Sequence, residues 1–346
     1  MTDNVRPCLG FLGVGWIGRH RMERIIESGV AEVAGIADAS PDLARQAAEL
    51  APGAQCVADL DALLKLDLDG VVIATPSALH AEQSIQALRQ GVAVFCQKPV
   101  GRSEAETAAV VQAARQADRL LGIDFSYRYV EGVRRIRELV QSGELGEVYA
   151  VNLVFHNAYG PDKPWFYDRR LSGGGCVIDL GIHLIDLALW ALDFPELVAA
   201  DGRCFSKGQP MRAGGSAVED YASARLQLGN GACVDLSCSW HVSAGCDAVI
   251  EANFYGSQGG AALKNVNGSF YDFEAWRFRG TQRELLVAPP DEWGGRAGVA
   301  WAQQLAENPR FDPEVARVIE VARAIDGIYR SGTAADAAVT AERQVV

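Results

Sequence analysis

The sequence has no surplus of positive charge. Its 32 Lys and Arg are outnumbered by 44 Asp and Glu, giving a net charge of −12. A nucleic-acid binder presents a basic face to phosphates, and the run Arg134, Arg135 and Arg137 reads here as a solvated helix face. No CxxC pair occurs among the eight cysteines, Cys8, Cys56, Cys96, Cys176, Cys204, Cys233, Cys238 and Cys246. Several sit in strand-like apolar runs, so they read as buried reduced thiols and not as a disulfide framework or zinc site. No uncharged apolar run reaches the ~20 residues of a membrane helix; the nearest, 177–192, is interrupted by Asp179, His183 and Asp186. The first residues lack the long apolar core and small-residue cleavage site of a signal peptide. Internal repeats, low-complexity tracts and long linkers are also missing. The expectation is a cytoplasmic chain with no nucleic-acid or membrane partner.

What is present is ordinary globular composition, 49% apolar and 22% charged over 346 residues, a length that suits two domains. Up to residue 125 short apolar runs alternate with helical segments. The expected strands are Cys8–Leu12, 33–38, 71–75, 92–96 and 120–126; the expected helices are Trp16–Ser28, 41–49, 60–65, 79–90 and 103–117. Ser103 with Glu106 forms a capping-box pattern at the last of these. Strict alternation of buried-type strands with helices implies a parallel, doubly wound sheet. Residues 126–346 read differently. A helix at 130–142 and a strand at 148–155 lead into a polar and aromatic loop, 156–170, and then a helix at 175–192. Strands are expected at 199–204, Tyr221–Leu228, 232–240, 248–255, 260–264 and 275–279, with a final helix at 313–331. This second domain, 126–346, is α+β, with an open, mostly antiparallel sheet and helices on one face, and the fold class of the whole is α/β.

Gly13, Gly15 and Gly18 form a GxGxxG motif between the first strand and the first helix, with Asp38 ending the next strand. Gly13 permits a tight turn, Gly15 lets the backbone approach a pyrophosphate, and Gly18 lets the helix pack closely on the strand. The N–H groups of the helix start, at Trp16 and Ile17, face the anion. A carboxylate at Asp38 accepts hydrogen bonds from ribose hydroxyls and repels a 2′-phosphate. Ala39, Ser40 and Pro41 supply no cation to hold that phosphate. The expected cofactor is therefore NAD in preference to NADP.

In the otherwise apolar helix at 175–192, Asp179, His183 and Asp186 fall at i, i+4 and i+7, on one face. Buried ionisable groups are costly unless paired or in use, so the stripe marks either a polar cleft or a satisfied internal network. A metal site is a third reading, which no further His or Cys cluster supports. Lys98, in Gln97-Lys98-Pro99, directly follows the fourth strand. There the strand ends of a doubly wound sheet border the ligand crevice.

Taken together, Gly13-Val14-Gly15-Trp16-Ile17-Gly18, Thr75-Pro76 with His80, Gln97-Lys98-Pro99, and Gly173-Gly174-Gly175 followed by Asp179, Gly181 and His183 resemble the glucose–fructose oxidoreductase / inositol dehydrogenase (Gfo/Idh/MocA) family over about residues 1–330. The resemblance implies an enzyme, a dehydrogenase or reductase acting on CH–OH groups. Lys98 would stabilise developing negative charge on the reacting oxygen, His183 would act as general acid/base, and Asp179 would orient His183 and hold a neighbouring hydroxyl. Thr75, Pro76 and His80 would line the cofactor crevice, and Gln97 would reach the nicotinamide ribose. The family usually has Glu at that last position, so this chain departs from its pattern there.

A polyol stacks its C–H faces on rings while its hydroxyls form hydrogen bonds. That makes the loop 156–170, with Tyr159 and Trp165, a substrate-side expectation, although packing of these rings as a surface loop accounts for them equally. Arg128, beside Tyr127, is placed near substrate by the resemblance. The expected function is hydride transfer between nicotinamide and a secondary alcohol or ketone of a sugar, sugar derivative or cyclitol. Two alternatives stand beside it: a glycoside-cleaving or epimerising enzyme that retains NAD, and a non-catalytic dinucleotide-sensing regulator. Apolar residues in Tyr221–Leu228 and 232–240 that need cover on both sides point to a homodimer or homotetramer.

Overall fold

In a computed structural model, which describes residues 6–212 and 215–332, the chain divides into two compact units. The first runs up to Tyr129 and takes in Trp293–Val318; the second comprises Val130–Glu292 and the segment from Ile319.

In the first unit β1 (Cys8–Leu12), α1 (Trp16–Ser28), β2 (Glu32–Ala37), α2 (Pro41–Ala48), β3 (Gln55–Val57), α3 (Leu60–Leu63), β4 (Gly70–Ile73), α4 (Ser77–Arg89), β5 (Ala93–Cys96), α5 (Glu104–Ala117) and β6 (Leu121–Ile123) follow one another. The sheet is parallel, in the order β3-β2-β1-β4-β5-β6. The strand order therefore reverses between β1 and β4, the switch point beyond whose strand ends such folds bind ligands. Five strands were expected and six are present. β3 is a short, largely exposed edge strand, with none of the apolar run that marks the buried ones. Ser103 caps α5 by accepting from Glu106 N. The Glu106 carboxylate, however, bonds the backbone and guanidinium of Arg102 instead of closing the box on Ser103.

The second unit contains α6 (Glu131–Gln141), β7 (Val148–Asn157), α7 (Arg169–Ser172), α8 (Ile182–Ala191), β8 (Leu197–Ser206), β9 (Gln209–Pro210), β10 (Tyr221–Leu228), β11 (Cys233–Ser239), β12 (Ala248–Gly256), β13 (Gly260–Asn265), β14 (Phe273–Arg279) and β15 (Gln282–Val287). Among the described residues these strands form one open sheet, β15-β14-β13-β12-β7-β11-β10-β8-β9. Neighbours are antiparallel except β7 and β11, which run parallel. The helix expected at 175–192 starts with a π turn, Val177–Gly181, and becomes α-helical only at Ile182. The stretch 169–191 is long and apolar enough to cross a membrane, but 83% of its most apolar window is buried inside the protein.

Strand alternation in this sheet is clean. Ala222, Ala224, Leu226 and Leu228 of β10 are buried, and Ser223, Arg225 and Gln227 point the other way. The apolar residues of β10 and β11 thus need cover on one face only, contrary to the sequence reading. α6 packs on that face through Gly132 against Leu263 and Ala275, and the π turn through Gly181 against Leu236 and Cys238.

All of 126–346 is expected from the sequence to belong to the second domain, with no element expected at 293–312. The chain instead returns, and α9 (Arg296–Glu307) packs in the core of the first unit with Ala297, Trp301, Ala302 and Leu305 buried. The reason is a slot in the sheet. Gly70 of β4 and Gly122 of β6 carry no side chain, and an added Cβ on either would press within 2.7 Å and 2.6 Å of the Trp301 indole. The indole also packs on Phe95, with ring centroids 5.5 Å apart. The final helix α10 (Val318–Gly332) follows a 3₁₀ turn at Pro313–Arg317.

Trp301→Ala is expected to cost about 3–5 kcal/mol, the usual range for emptying a buried aromatic site. Denaturant unfolding of the full chain checks this, and an unchanged midpoint would show that the returning helix does not belong to the first core.

Candidate functional site

The first unit gathers the expected cofactor residues at the carboxyl ends of β1, β2, β4 and β5. Gly13 has φ +83°, and its N–H donates to Ala37 O at 2.8 Å, which ties the turn to β2. An added Cβ at Gly18 would collide with the Gly13 carbonyl oxygen, so α1 approaches the loop as closely as backbone allows. At Gly15 the surroundings are open, with nothing within 4 Å of an added Cβ. Glycine there leaves room for something that is not protein. α1 begins with no side-chain cap and no acidic residue in its first turn. Open space, glycine and an uncapped helix start are the donor arrangement a pyrophosphate fits. Trp16 stands 71% exposed at this helix start, stacked on His20 at 6.1 Å, and Ile17 follows, half-buried.

Asp38 lies where expected but is already engaged. One oxygen accepts from Val14 N at 2.7 Å and the other from Ser40 N at 2.8 Å. The carboxylate therefore braces the glycine loop against β2. Each carboxylate oxygen has more than one acceptor site, so this bracing leaves capacity for a ribose hydroxyl.

Thr75 and Pro76 lead from β4 into α4. The Thr75 hydroxyl donates to Gln83 Oε1 at 2.6 Å. His80 is buried, its ring nitrogens 2.6 Å from Thr75 O and 2.7 Å from Pro99 O. It was expected to line the crevice. It is instead a strut beneath it, tying the 75–76 turn to the backbone next to Lys98. Burial lowers its pKa against the pull of those two carbonyls.

Lys98 follows β5, half-buried, with Gln97 N held to Ile73 O at 2.9 Å. Gln97 is 8% exposed, and its amide nitrogen donates to Asp124 Oδ2. The same oxygen binds Arg21 Nε in an ion pair whose side chains are 6% and 0% exposed. Asp124, at the end of β6, supplies the carboxylate of this knot, and an amide at position 97 can donate to it where a second carboxylate could not. Arg128 lies in a 3₁₀ turn, Ser126–Tyr129, with its guanidinium 5.2 Å over the Phe125 ring.

In the second unit the polar stripe splits. Asp179 and His183 are half-buried, whereas Asp186 is 1% exposed and belongs to the interior. Trp240, fully buried, donates from Nε1 to Asp179 Oδ2 at 3.0 Å. Tyr167 packs edge-on to Trp240 at 5.4 Å, and burial together with the Asp179 charge pushes its phenol up. Trp165 stacks on Phe166 at 3.8 Å, and Phe166 meets Trp240 at 6.4 Å. Tyr159 pairs with Phe270 at 6.2 Å. The loop aromatics thus form a wall running from Asp179 outward, with Tyr159 52% and Tyr167 45% exposed. Among the described residues no group of three or more His, Cys, Asp or Glu is arranged to hold a metal ion.

Sequence reasoning missed Trp240, Asp124 and Arg21. Trp240 meets Asp179 61 positions away and Arg21 meets Asp124 103 positions away, and periodicity carries no such signal.

Two family models match this chain. One, described as an oxidoreductase family with an NAD-binding Rossmann fold, matches residues 9–125; the other, the GFO/IDH/MocA C-terminal domain, matches residues 133–262. Inositol 2-dehydrogenase of Rhizobium meliloti (strain 1021) is 31% identical over 261 residues, 74% of this chain and 75% of that protein. D-glucoside 3-dehydrogenase of Escherichia coli (strain K12) is 28% identical over 211 residues, and that match spans 58% of this chain and 60% of the relative's length. The crystal structure of KijD10, a 3-ketoreductase from Actinomadura kijaniata in complex with NADP and TDP-benzene, superposes with a TM-score of 0.79 at 23% identity. It covers 94% of this chain and 98% of that one, a likeness of fold. With its Rossmann domain for NAD(P) and the accompanying C-terminal domain, the chain belongs to the Gfo/Idh/MocA family of oxidoreductases.

Proposed function

We propose that this protein is an NAD-dependent dehydrogenase or reductase acting at a secondary alcohol or ketone of a sugar, sugar derivative or cyclitol. The observation that carries this reading is the accessible Asp179–His183 pair on an otherwise buried apolar helix, with Asp179 gripped by Trp240 beside a wall of exposed rings. Rings against hydroxyl-bearing acceptors are the surface a polyol recognises. The relatives named for a glucoside and for inositol support the same substrate class.

The roles follow from the chemistry of each group. When bound, the dinucleotide accepts or returns a hydride. Lys98 donates a hydrogen bond to the reacting oxygen and stabilises its negative charge as the C–H bond breaks. His183 takes the hydroxyl proton in oxidation and returns it in reduction, an imidazole being suited to both directions near neutral pH. Asp179, its orientation fixed by Trp240, holds the imidazole or a neighbouring hydroxyl. Tyr159, Trp165 and Arg128 contact substrate. Asp38, with no cation at 39–41, favours NAD over NADP. We place the protein in the cytoplasm as a homodimer or homotetramer. Trp276, Phe278 and Leu285, on the face of the sheet opposite the Leu263 and Ala275 that α6 covers, support the association.

The direct test is a panel of sugars, sugar acids and inositols with NAD and with NADP, following absorbance of the reduced cofactor. Turnover on none of them would sink the reading, and product formation without net NADH would mark transient oxidation by a retained cofactor. With a substrate in hand, Lys98→Ala and His183→Ala should each lower turnover about 100-fold or more while NAD affinity stays near the parent value; unchanged turnover in both discards the assigned roles. Asp38→Asn keeps one carbonyl acceptor for the loop but loses the charge, and should narrow the ratio of NADP to NAD dissociation constants by about tenfold. A ratio that does not move removes Asp38 as the discriminating group.

Gln97→Glu would set a second carboxyl against Asp124, where burial and like charge disfavour its charged form. Its folded-state pKa then lies above its unfolded value of about 4.3. The variant should match the parent below that value and lose stability as pH rises through the folded one. Thermal unfolding is therefore expected to show little deficit near pH 4.5 and a clear one at about pH 8; equal deficits at both would contradict the knot described above.

A further inference from the structure

The helix that carries Asp179 and His183 has no local cap. A helix leaves its first N–H groups without acceptors of its own, and a nearby Ser, Thr, Asp or Asn ordinarily takes one or two of them. Cys176, in the capping position of the π turn, makes no such side-chain bond. The acceptors come from far away in the chain. Gly175 N and Val177 N donate to Glu219 Oε1 at 2.9 and 3.0 Å, and Cys176 N donates to the Glu219 carbonyl oxygen at 3.0 Å. Ile178 N donates to the Tyr329 hydroxyl at 3.2 Å, which in turn donates to Glu219 Oε1 at 2.8 Å. Four consecutive amides are thus taken by two residues, one 44 and the other 151 positions along the chain.

The glycines before the turn exist for this clamp. An added Cβ at Gly175 would collide with the Glu219 carbonyl oxygen, and one at Gly174 with the Tyr329 hydroxyl. Glu219 is 2% exposed. Burial pushes its carboxyl up, while the donors at Val177, Tyr329 and Gly175 pull it down. Tyr329 lies under the Arg169 guanidinium, 5.6 Å from its ring centroid. A negative group at a helix start is also favoured by the helix dipole.

The clamped segment is not regular helix. A π turn holds one residue more than an α turn and is costly enough to persist only where its surroundings impose it. Relaxing it would rotate the residues after it by roughly 100° relative to those before, the angle of one α-helical residue. Asp179 lies inside the turn and His183 just beyond it. We propose that Glu219 and Tyr329 are positioning residues, which impose the π turn at Val177–Gly181 and thereby set where Asp179 and His183 point. The clamp stands on the geometry above; its bearing on catalysis rests on the roles proposed for those two residues.

Tyr329→Phe and Glu219→Gln test it in the full chain, with His183→Asn identifying the His183 ring signal by NMR. Tyr329→Phe removes one donor and acceptor without changing shape. It should raise hydrogen–deuterium exchange in the segment 175–182 about tenfold, the scale of one lost hydrogen bond, and should displace the His183 titration midpoint. NAD affinity should stay within about twofold, and on any substrate found kcat should fall with KM little changed. Glu219→Gln keeps an oxygen for the backbone amides and should disturb both readouts less than Glu219→Ala; if the alanine variant fails to fold, Tyr329→Phe and Glu219→Gln carry the test. A His183 titration that superimposes on the parent in Tyr329→Phe overturns the proposal. So does faster exchange spread evenly over the second unit. Should His183→Ala keep full turnover, the assigned chemistry falls while exchange and titration still decide the clamp.

Discussion

Every helix begins with amide hydrogens that its own carbonyls cannot accept, and the two halves of this protein treat that constraint in opposite ways. α1 starts beside Gly15 with no side-chain cap and open space in front of it. The helix bearing Asp179 starts with its amides at 175–178 taken by Glu219 and Tyr329. An open helix start suits a small anion that arrives and leaves; a closed one suits side chains that must not move. The glycines of both motifs follow from this difference. Those at 13 and 18 bring backbone onto backbone, and those at 174 and 175 admit a carbonyl and a phenol.

Carboxylates held by fixed donors, Asp124 fully buried and Asp38 and Asp179 half-buried, organise the surroundings of both centres. Asp124 joins Arg21 and Gln97 beneath the ends of β5 and β6, and Asp179 is anchored by Trp240. Asp38 braces the glycine loop through Val14 and Ser40. Each carboxylate meets donors that fix its direction, which is how a polar group remains tolerable in a packed interior. An amide at Gln97 is intelligible in these terms, because it can donate to the carboxylate that Asp124 already supplies.

Much of this architecture was legible in the residues. The alternation of β1, β2, β4, β5 and β6 with their helices is strong because a strand buried on both faces has no choice but an apolar run. The GxGxxG segment with Asp38 at the next strand end was equally plain, as was the stripe at Asp179 and His183. What escaped did so for physical reasons. β3 is an exposed edge, so its three residues carry no pattern. The π turn leaves no mark on hydrophobic spacing. His80 looked like a crevice residue and proved a strut, since only the positions of Thr75 O and Pro99 O decide that. Asp186 shares a helical face with His183 on paper but turns into the core. Trp301 is legible only once Gly70 and Gly122 are known to lie side by side with it.

That slot also bears on how the chain comes to be folded. The nucleotide-binding sheet emerges first during synthesis, yet the indole that packs on Gly70 of β4 and Gly122 of β6 is about 180 residues behind the last of those strands. Until α9 has been made, the sheet must wait with an apolar furrow open to water, an invitation to wrong contacts. The intervening α+β unit behaves as an insert whose two ends must come together before the older half can close. The last piece of the first unit's core is therefore made only after the whole of 130–292.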